Sequence, residues 1–360
     1  MRGLTARVNR ALSDRATALA VGWVALLLLT PAPAQASRID YFENDPQVGG
    51  DRIRLLADPG EANVVAVAAV NTRVVSIIDP LLNAQPGFVN PAMTKRHCVL
   101  APALAVCHPI RGLALAQALA GVITGVEVEL GDGNDTAAGS VVLSGGAIYR
   151  GGAGNDRING ADGTEDTVAG GPGADDISGG DGESDRSQIP VGRDVALYNG
   201  ADGPVTVTLD DVANDGTPGE GDNVHSDFES IVGSAFDDVL IGTALGDDLS
   251  GGPGADTLRG GAGQDFLAGD PDYGSSGADR IEGGPGHDVL VGAGGNDDLE
   301  GGPGPDFVYG DRGDDRLDIR DNERDEAWCD DPFVGNDGFD VVIADPADEL
   351  HGVCEDVRRD

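Results

Sequence analysis

Aspartate recurs at nine-residue intervals in two runs, Asp238, Asp247, Asp256 and Asp265, then Asp288, Asp297, Asp306 and Asp315. The same place is held by Asp156 and Asp175 in two further copies, by Asp279 within an insertion, and by Asp135, Asp166, Asp185 and Asp340 in imperfect copies. Two carboxylates suffice for acid–base work of the glycosidase type. A register that repeats every nine residues is better explained by bound cations. Carboxylates beside converging backbone carbonyls are hard oxygen donors, which suit Ca²⁺ rather than soft metals.

The residues around each aspartate follow Gly-Gly-x-Gly-x-Asp-x-U-x, with U apolar. U is Ile158, Ile177, Leu240, Leu249, Leu258, Leu267, Ile281, Leu290, Leu299, Val308, Leu317 and Val342. Gly152, Gly154, Gly171, Gly173, Gly252, Gly254, Gly261, Gly263, Gly284, Gly286, Gly302 and Gly304 allow a tight turn and close backbone approach. Pro172, Pro253, Pro285 and Pro303 pre-form it at the third position. The last three residues make a short strand with U pointing inward. One apolar residue in nine builds no core alone, whereas stacked coils align U into a ladder. Two nonapeptides make a coil, and coils about 4.8 Å apart leave room for Ca²⁺ between neighbouring turns.

These units resemble the RTX (haemolysin-type) calcium-binding repeats over roughly 125–182 and 233–318, with decayed copies outside. The resemblance implies an all-β fold, a parallel β-roll (β-solenoid) holding several Ca²⁺ ions and folding only when they bind. The chain also looks like the small stand-alone secreted calcium-binding proteins of this class, which begin with a signal and end in a cysteine-bracketed cap. A Gly/Asp-rich disordered linker is the competing reading. Disorder does not require an apolar residue two places after each aspartate.

Composition agrees. Glycine is 57 of 360 residues and aromatics are 4%, too few for a conventional core. The net charge of −40 makes nucleic acid and anionic membranes poor partners and cations good ones. Arg7, Arg10 and Arg15 precede an apolar run, Ala16–Leu29, and a small-residue site, Ala34-Gln35-Ala36. That is the layout of a signal peptide, with cleavage expected after Ala36 and an extracellular destination. The alternative, a membrane anchor, needs a longer run, and no later segment looks transmembrane. Cys98, Cys107, Cys329 and Cys354 remain, an even number that favours disulfides. The local pairing is Cys98–Cys107 and Cys329–Cys354. A zinc site at His97-Cys98…Cys107-His108 fits no standard spacing.

The expected organisation is a leader over 1–36, an N-terminal β cap over 37–124, a first repeat block over 125–188, and an insertion over 189–232. A second repeat block over 233–318 and a C-terminal cap with a disulfide over 319–360 complete it. Ala62–Val70 and Arg73–Ile78 read as strands around a turn, and Gly125–Leu130 as a half-exposed strand. Leu113–Ala120 reads as β despite helical propensity. In the insertion, Val205–Leu209 reads as a strand. Its acidic loop, 210–222, reads as solvated, with an extra ion site as the alternative.

None of His97, His108, His225, His287 and His351 stands in His-Glu-x-x-His, and Ser276 fails Gly-x-Ser-x-Gly at the last position. The expectation is therefore a non-enzymatic extracellular calcium-binding protein with a structural, surface or matrix role. A calcium-dependent adhesin for cell-surface or matrix glycans or proteins is the second reading. A non-catalytic remnant of an RTX enzyme or toxin is the third. An exposed aromatic platform would favour the adhesin, and the insertion offers only Tyr198 and Phe228.

Overall fold

A computed structural model of the 360-residue chain describes residues 36–45, 50–57, 64–71, 74–79, 114–117, 123–139, 146–161, 165–180, 193–270, 277–330 and 338–359. The expected leader other than Ala36, the Cys98–Cys107 pair, Asp185 and Ser276 lie outside them. The described residues contain strands and turns and no helix. The fold is an all-β parallel β-solenoid. Two compact units divide at Asp166 and Thr167.

In the second unit the chain alternates between two parallel sheets. One runs through Val195–Leu197, Ser230–Val232, Asp248–Ser250, Phe266–Ala268, Val289–Gly294, Phe307–Arg312, Glu326–Asp330 and Glu349–His351. The other runs through Thr206–Thr208, Val239–Ile241, Thr257–Arg259, Arg280–Glu282, Asp298–Glu300, Arg316–Ile319, Val341–Ala344 and Asp356–Arg359. Each three-residue strand presents its middle residue inward. Leu240 pairs with Leu258, Leu258 with Ile281 and Ile281 with Leu299 in one ladder, and Leu249, Leu267, Leu290 and Val308 form the other. All of these are fully buried. Each contributes about 1.5–3 kcal/mol by leaving water, which is how so few large side chains suffice.

Within the expected insertion, the described residues 193–232 continue the roll. Val195–Leu197 pairs in parallel with Thr167–Ala169 and with Ser230–Val232, while Asn223–Val224 pairs with Asp176–Ser178. Val205 begins the run expected as a strand, and Thr206–Thr208 is the part that pairs, with Val239–Ile241. Val207, Val224 and Ile231 supply the inward apolar residue without the glycine turn.

In the first unit Val64–Asn71 and Val74–Asp79 form an antiparallel pair, with Ala114–Gln117 beside the latter. Ala36–Asp45 lies antiparallel to Gly50–Ala57. Parallel pairing then begins, from Gly50–Ala57 to Ile123–Asp132 to Ala147–Ala153, and from Val64–Asn71 to Thr136–Gly139 to Arg157–Asn159. In the strand expected to be half-exposed, Val128 and Leu130 are fully buried, and Glu127 is also buried, ion-paired with Arg150. Cys329 and Cys354 form a disulfide across 25 residues, a closure that contributes about 3 kcal/mol in the chain-entropy account.

Leu258→Ala removes a fully buried rung and is expected to cost about 2–5 kcal/mol. Phe266→Ala, at a side chain 42% exposed, is expected to cost less than half as much. Urea denaturation of both variants in calcium measures the difference.

Candidate metal centre

The turns joining the two sheets bring the predicted aspartates into rows. Asp238, Asp256, Asp279, Asp297, Asp315 and Asp340 follow one another in one row. Each backbone amide donates to Oδ1 of the next aspartate, at 2.7, 2.8, 2.8, 2.8 and 3.0 Å. Asp247, Asp265, Asp288, Asp306, Asp325 and Asp348 form the second row, at 2.8, 2.9, 2.9, 2.8 and 3.2 Å. The residue after each aspartate returns the bond. Thr257 N donates to Asp238 O and Phe266 N to Asp247 O, both at 2.8 Å. An aspartate thus satisfies the backbone of its counterpart one coil away with its side chain and with the following amide. In the first unit Asp135 N likewise donates to Asp156 Oδ1 at 2.7 Å, and Asp166 accepts from the amides of Ala147 and Ala161.

All fourteen predicted aspartates among the described residues are buried, none more than 2% exposed. Their second oxygens are the notable atoms. Oδ2 of Asp256, Asp279, Asp288, Asp297, Asp306 and Asp315 is shielded from solvent and has no hydrogen-bond partner. Each such oxygen points back at the turn: Asp256 Oδ2 lies against Gly251, and Asp306 Oδ2 against Gly301. A buried acceptor without a donor costs free energy. A hard divalent cation repays that cost, and the donor set of carboxylate and carbonyl oxygens fits Ca²⁺.

The electrostatics agree. Burial, reinforced by neighbouring carboxylates, pushes Asp279, Asp306 and Asp315 up to about 8 and Asp256 up to about 7. Burial is the main cause at Asp297 too, which rises to about 6. The rows resist ionisation unless positive charge joins them.

The turn glycines do what the pattern requires, with one difference. Gly254 has φ +154°, and a side chain there would also run into the Phe236 carbonyl one coil away. Gly286 lacks the positive φ of the other predicted turn glycines. Its constraint is spatial, since a β-carbon would meet the Gly263 carbonyl and the Asp288 carboxylate.

The pattern missed several row members. Asp222 accepts from Asp175 N at 2.9 Å, Glu229 from Asp194 N at 2.9 Å, and Glu355 from Asp340 N at 2.9 Å. Asp325 and Asp348 complete the second row. An acid two places before a buried apolar residue, as in Asp222-Asn223-Val224, Glu229-Ser230-Ile231 and Asp325-Glu326-Ala327, is the signal that survives loss of the glycines.

The acidic loop 210–222 is not simply solvated. Asp215 and Asp222 are each 1% exposed, and burial raises both to about 6. Asp215 accepts from the amides of Thr208 and Val224 at 2.7 and 2.9 Å, and Asp222 Oδ2 accepts from Tyr198 OH at 3.0 Å. Protein donors thus reach both oxygens of Asp215 and of Asp222. His225, 2.7 Å from Asp176 and 3.2 Å from Asp211, ties the loop down.

Rows of buried carboxylates along the turns of a parallel solenoid are consistent with an RTX β-roll. The family model for the RTX calcium-binding nonapeptide repeat matches residues 143–165, 150–183, 241–272, 273–308 and 291–318. The chain carries RTX calcium-binding repeats within 143–183 and 241–318, and such repeats generally bind calcium. No curated protein matches the chain. Among the described residues no helix is long and apolar enough to cross a membrane.

A folded-state carboxyl raised above its ordinary value of 3.8 favours the protonated fold. Its stabilisation is present at acid pH and lost as pH rises through the folded value. Ion-stripped protein is therefore expected to gain β signal in circular dichroism as pH falls from about 8 to about 5. Saturating calcium should flatten that dependence.

Proposed function

We propose that the chain is an extracellular calcium-binding protein whose roll is held together by ions along both aspartate rows, serving a structural, surface or matrix role. The observation that carries this is the set of buried Oδ2 atoms without donors at Asp256, Asp279, Asp288, Asp297, Asp306 and Asp315. The fourteen predicted aspartates would hold the ions together with turn carbonyls. The missed Asp325 and Asp348 extend the second row. The net charge of −40 makes each bound ion a relief of repulsion as well as a ligand. The leader-like residues 1–36 and the Cys329–Cys354 disulfide support an oxidising, extracellular setting. There the calcium level is roughly millimolar, the range in which extracellular sites fill.

The adhesin reading finds little support in the insertion, because Tyr198 and Phe228 are buried. On one outer face of the last coils Tyr309 stacks on Trp328 at 4.5 Å and Phe307 lies beside Trp328 at 6.0 Å, whereas Phe339 elsewhere is 54% exposed. The faces of the stacked rings are largely taken.

Calcium added to chelator-stripped protein is expected to raise the β signal cooperatively, with several ions bound by calorimetry. An unchanged spectrum with no bound ions would sink the proposal. Asp256→Ala, which removes a carboxylate shared by two neighbouring turns, is expected to lower calcium stoichiometry and cooperativity more than Asp135→Ala does.

A further inference from the structure

The outer face of the last two coils carries donors that the aspartate rows do not use. Glu326 and Trp328 flank buried Ala327 on one strand, and Glu349 and His351 flank Leu350 on the next. The strands pair in parallel with Glu326 opposite Glu349 and Trp328 opposite His351. One oxygen of each glutamate and an imidazole nitrogen lie within 4.8 Å of one another. His351 Nε2 is shielded from solvent, makes no hydrogen bond among the described residues, and lies 3.5 Å from Glu326 Oε2.

Like charges directly opposite across a sheet repel. On the outer face of the other sheet one column alternates, Arg280 opposite Asp298 and Asp298 opposite Arg316, while the column beside it sets Glu282, Glu300 and Asp318 opposite one another, with Arg259 and Arg280 on Glu282 and Arg316 and Arg320 on Asp318. At Glu326 and Glu349 the relief is lopsided, since Arg324 Nη2 is 2.7 Å from Glu349 but 3.8 Å from Glu326. The donors are nevertheless held in place. Trp328 stacks on His351 at 4.4 Å and 16°, with Tyr309 on its other side. The disulfide joins Cys329, next to Trp328, to Cys354, just beyond His351.

We propose that Glu326, Glu349 and His351 form a surface site for a borderline divalent transition-metal ion of the Zn²⁺ class, separate from the calcium rows. Two carboxylates and an imidazole are a mixed oxygen–nitrogen set that suits such ions. Ca²⁺ takes six to eight oxygens and is poorly served by it. Three protein donors leave further coordination positions to water, and the ion takes over the charge balance that Arg324 supplies. The site rests on the calcium-roll reading only in needing the last coils folded.

Trp23 and Trp328 are the two tryptophans of the chain, so the full chain with Trp23→Phe reports this face by fluorescence. In roughly millimolar calcium, Co²⁺ is expected to quench Trp328 to saturation with a single ion, and Zn²⁺ to reverse the quenching. Glu326→Gln, Glu349→Gln and His351→Ala should each weaken binding by roughly tenfold or more, while Arg324→Ala should tighten it. Circular dichroism in calcium checks the fold of each variant. A parent chain without calcium-dependent β signal would fail there, before any question of Co²⁺. Quenching that never saturates, or that is unaltered in the three ligand variants, overturns the site and leaves the calcium rows untouched.

Discussion

The roll depends on one contact repeated along its length: the amide of an aspartate donating to the carboxylate of the aspartate one coil further on. A hydrogen bond to a charged acceptor contributes about 1.5–3 kcal/mol, and here it also sets the stacking distance. The contact uses one carboxylate oxygen, and at Asp256, Asp279, Asp288, Asp297, Asp306 and Asp315 it leaves the other facing the turn without a donor. Burial raises the pKa of these carboxyls, and the proposed dependence of folding on cations rests on that second oxygen. Strands of three residues could not hold such a stack by themselves, and the ladder of Leu, Ile and Val behind them supplies burial but no register.

The two sheets share this interior and differ outside. On the sheet through Thr257–Arg259, arginines and acids crowd the outer face, and pairs such as Arg280–Asp298 at 3.0 Å knit neighbours together. On the sheet through Phe307–Arg312, rings stack along the coil axis and end on His351. The same backbone therefore presents a charged flank and an aromatic flank, chosen by the residues either side of each inward apolar position. Those positions are free of the turn's demands, so they are where the protein can acquire chemistry of its own.

Much of this was legible because the repeat states its own geometry. The nine-residue register of Asp238 to Asp265 and the apolar residue two places on were enough for the roll, the rows and the inward ladders. Legibility failed where glycine was lost. Asp222, Asp325 and Asp348 keep the acid and the following apolar position but reach them through turns of other composition, so 189–232 read as an interruption although its described residues carry the stack through. The buried state of Asp215 was hidden for another reason: its partners, the amides of Thr208 and Val224, come together only after the loop has folded back. The convergence of Glu326, Glu349 and His351 depends on the pairing of two strands whose separation departs from the repeat.

The step from Asp256 to Asp279 is longer in sequence than the step before it. Asp256 and Asp279 are 23 residues apart where Asp238 and Asp256 are 18, yet the amide-to-carboxylate distances are 2.8 and 2.7 Å. Phe266 still faces Val289 and Thr257 still faces Arg280. Contour length is thus decoupled from stacking. A gene coding for such a molecule can grow by copying whole coils or by lengthening a single one, and here the longer step leaves the strand register on either side unchanged.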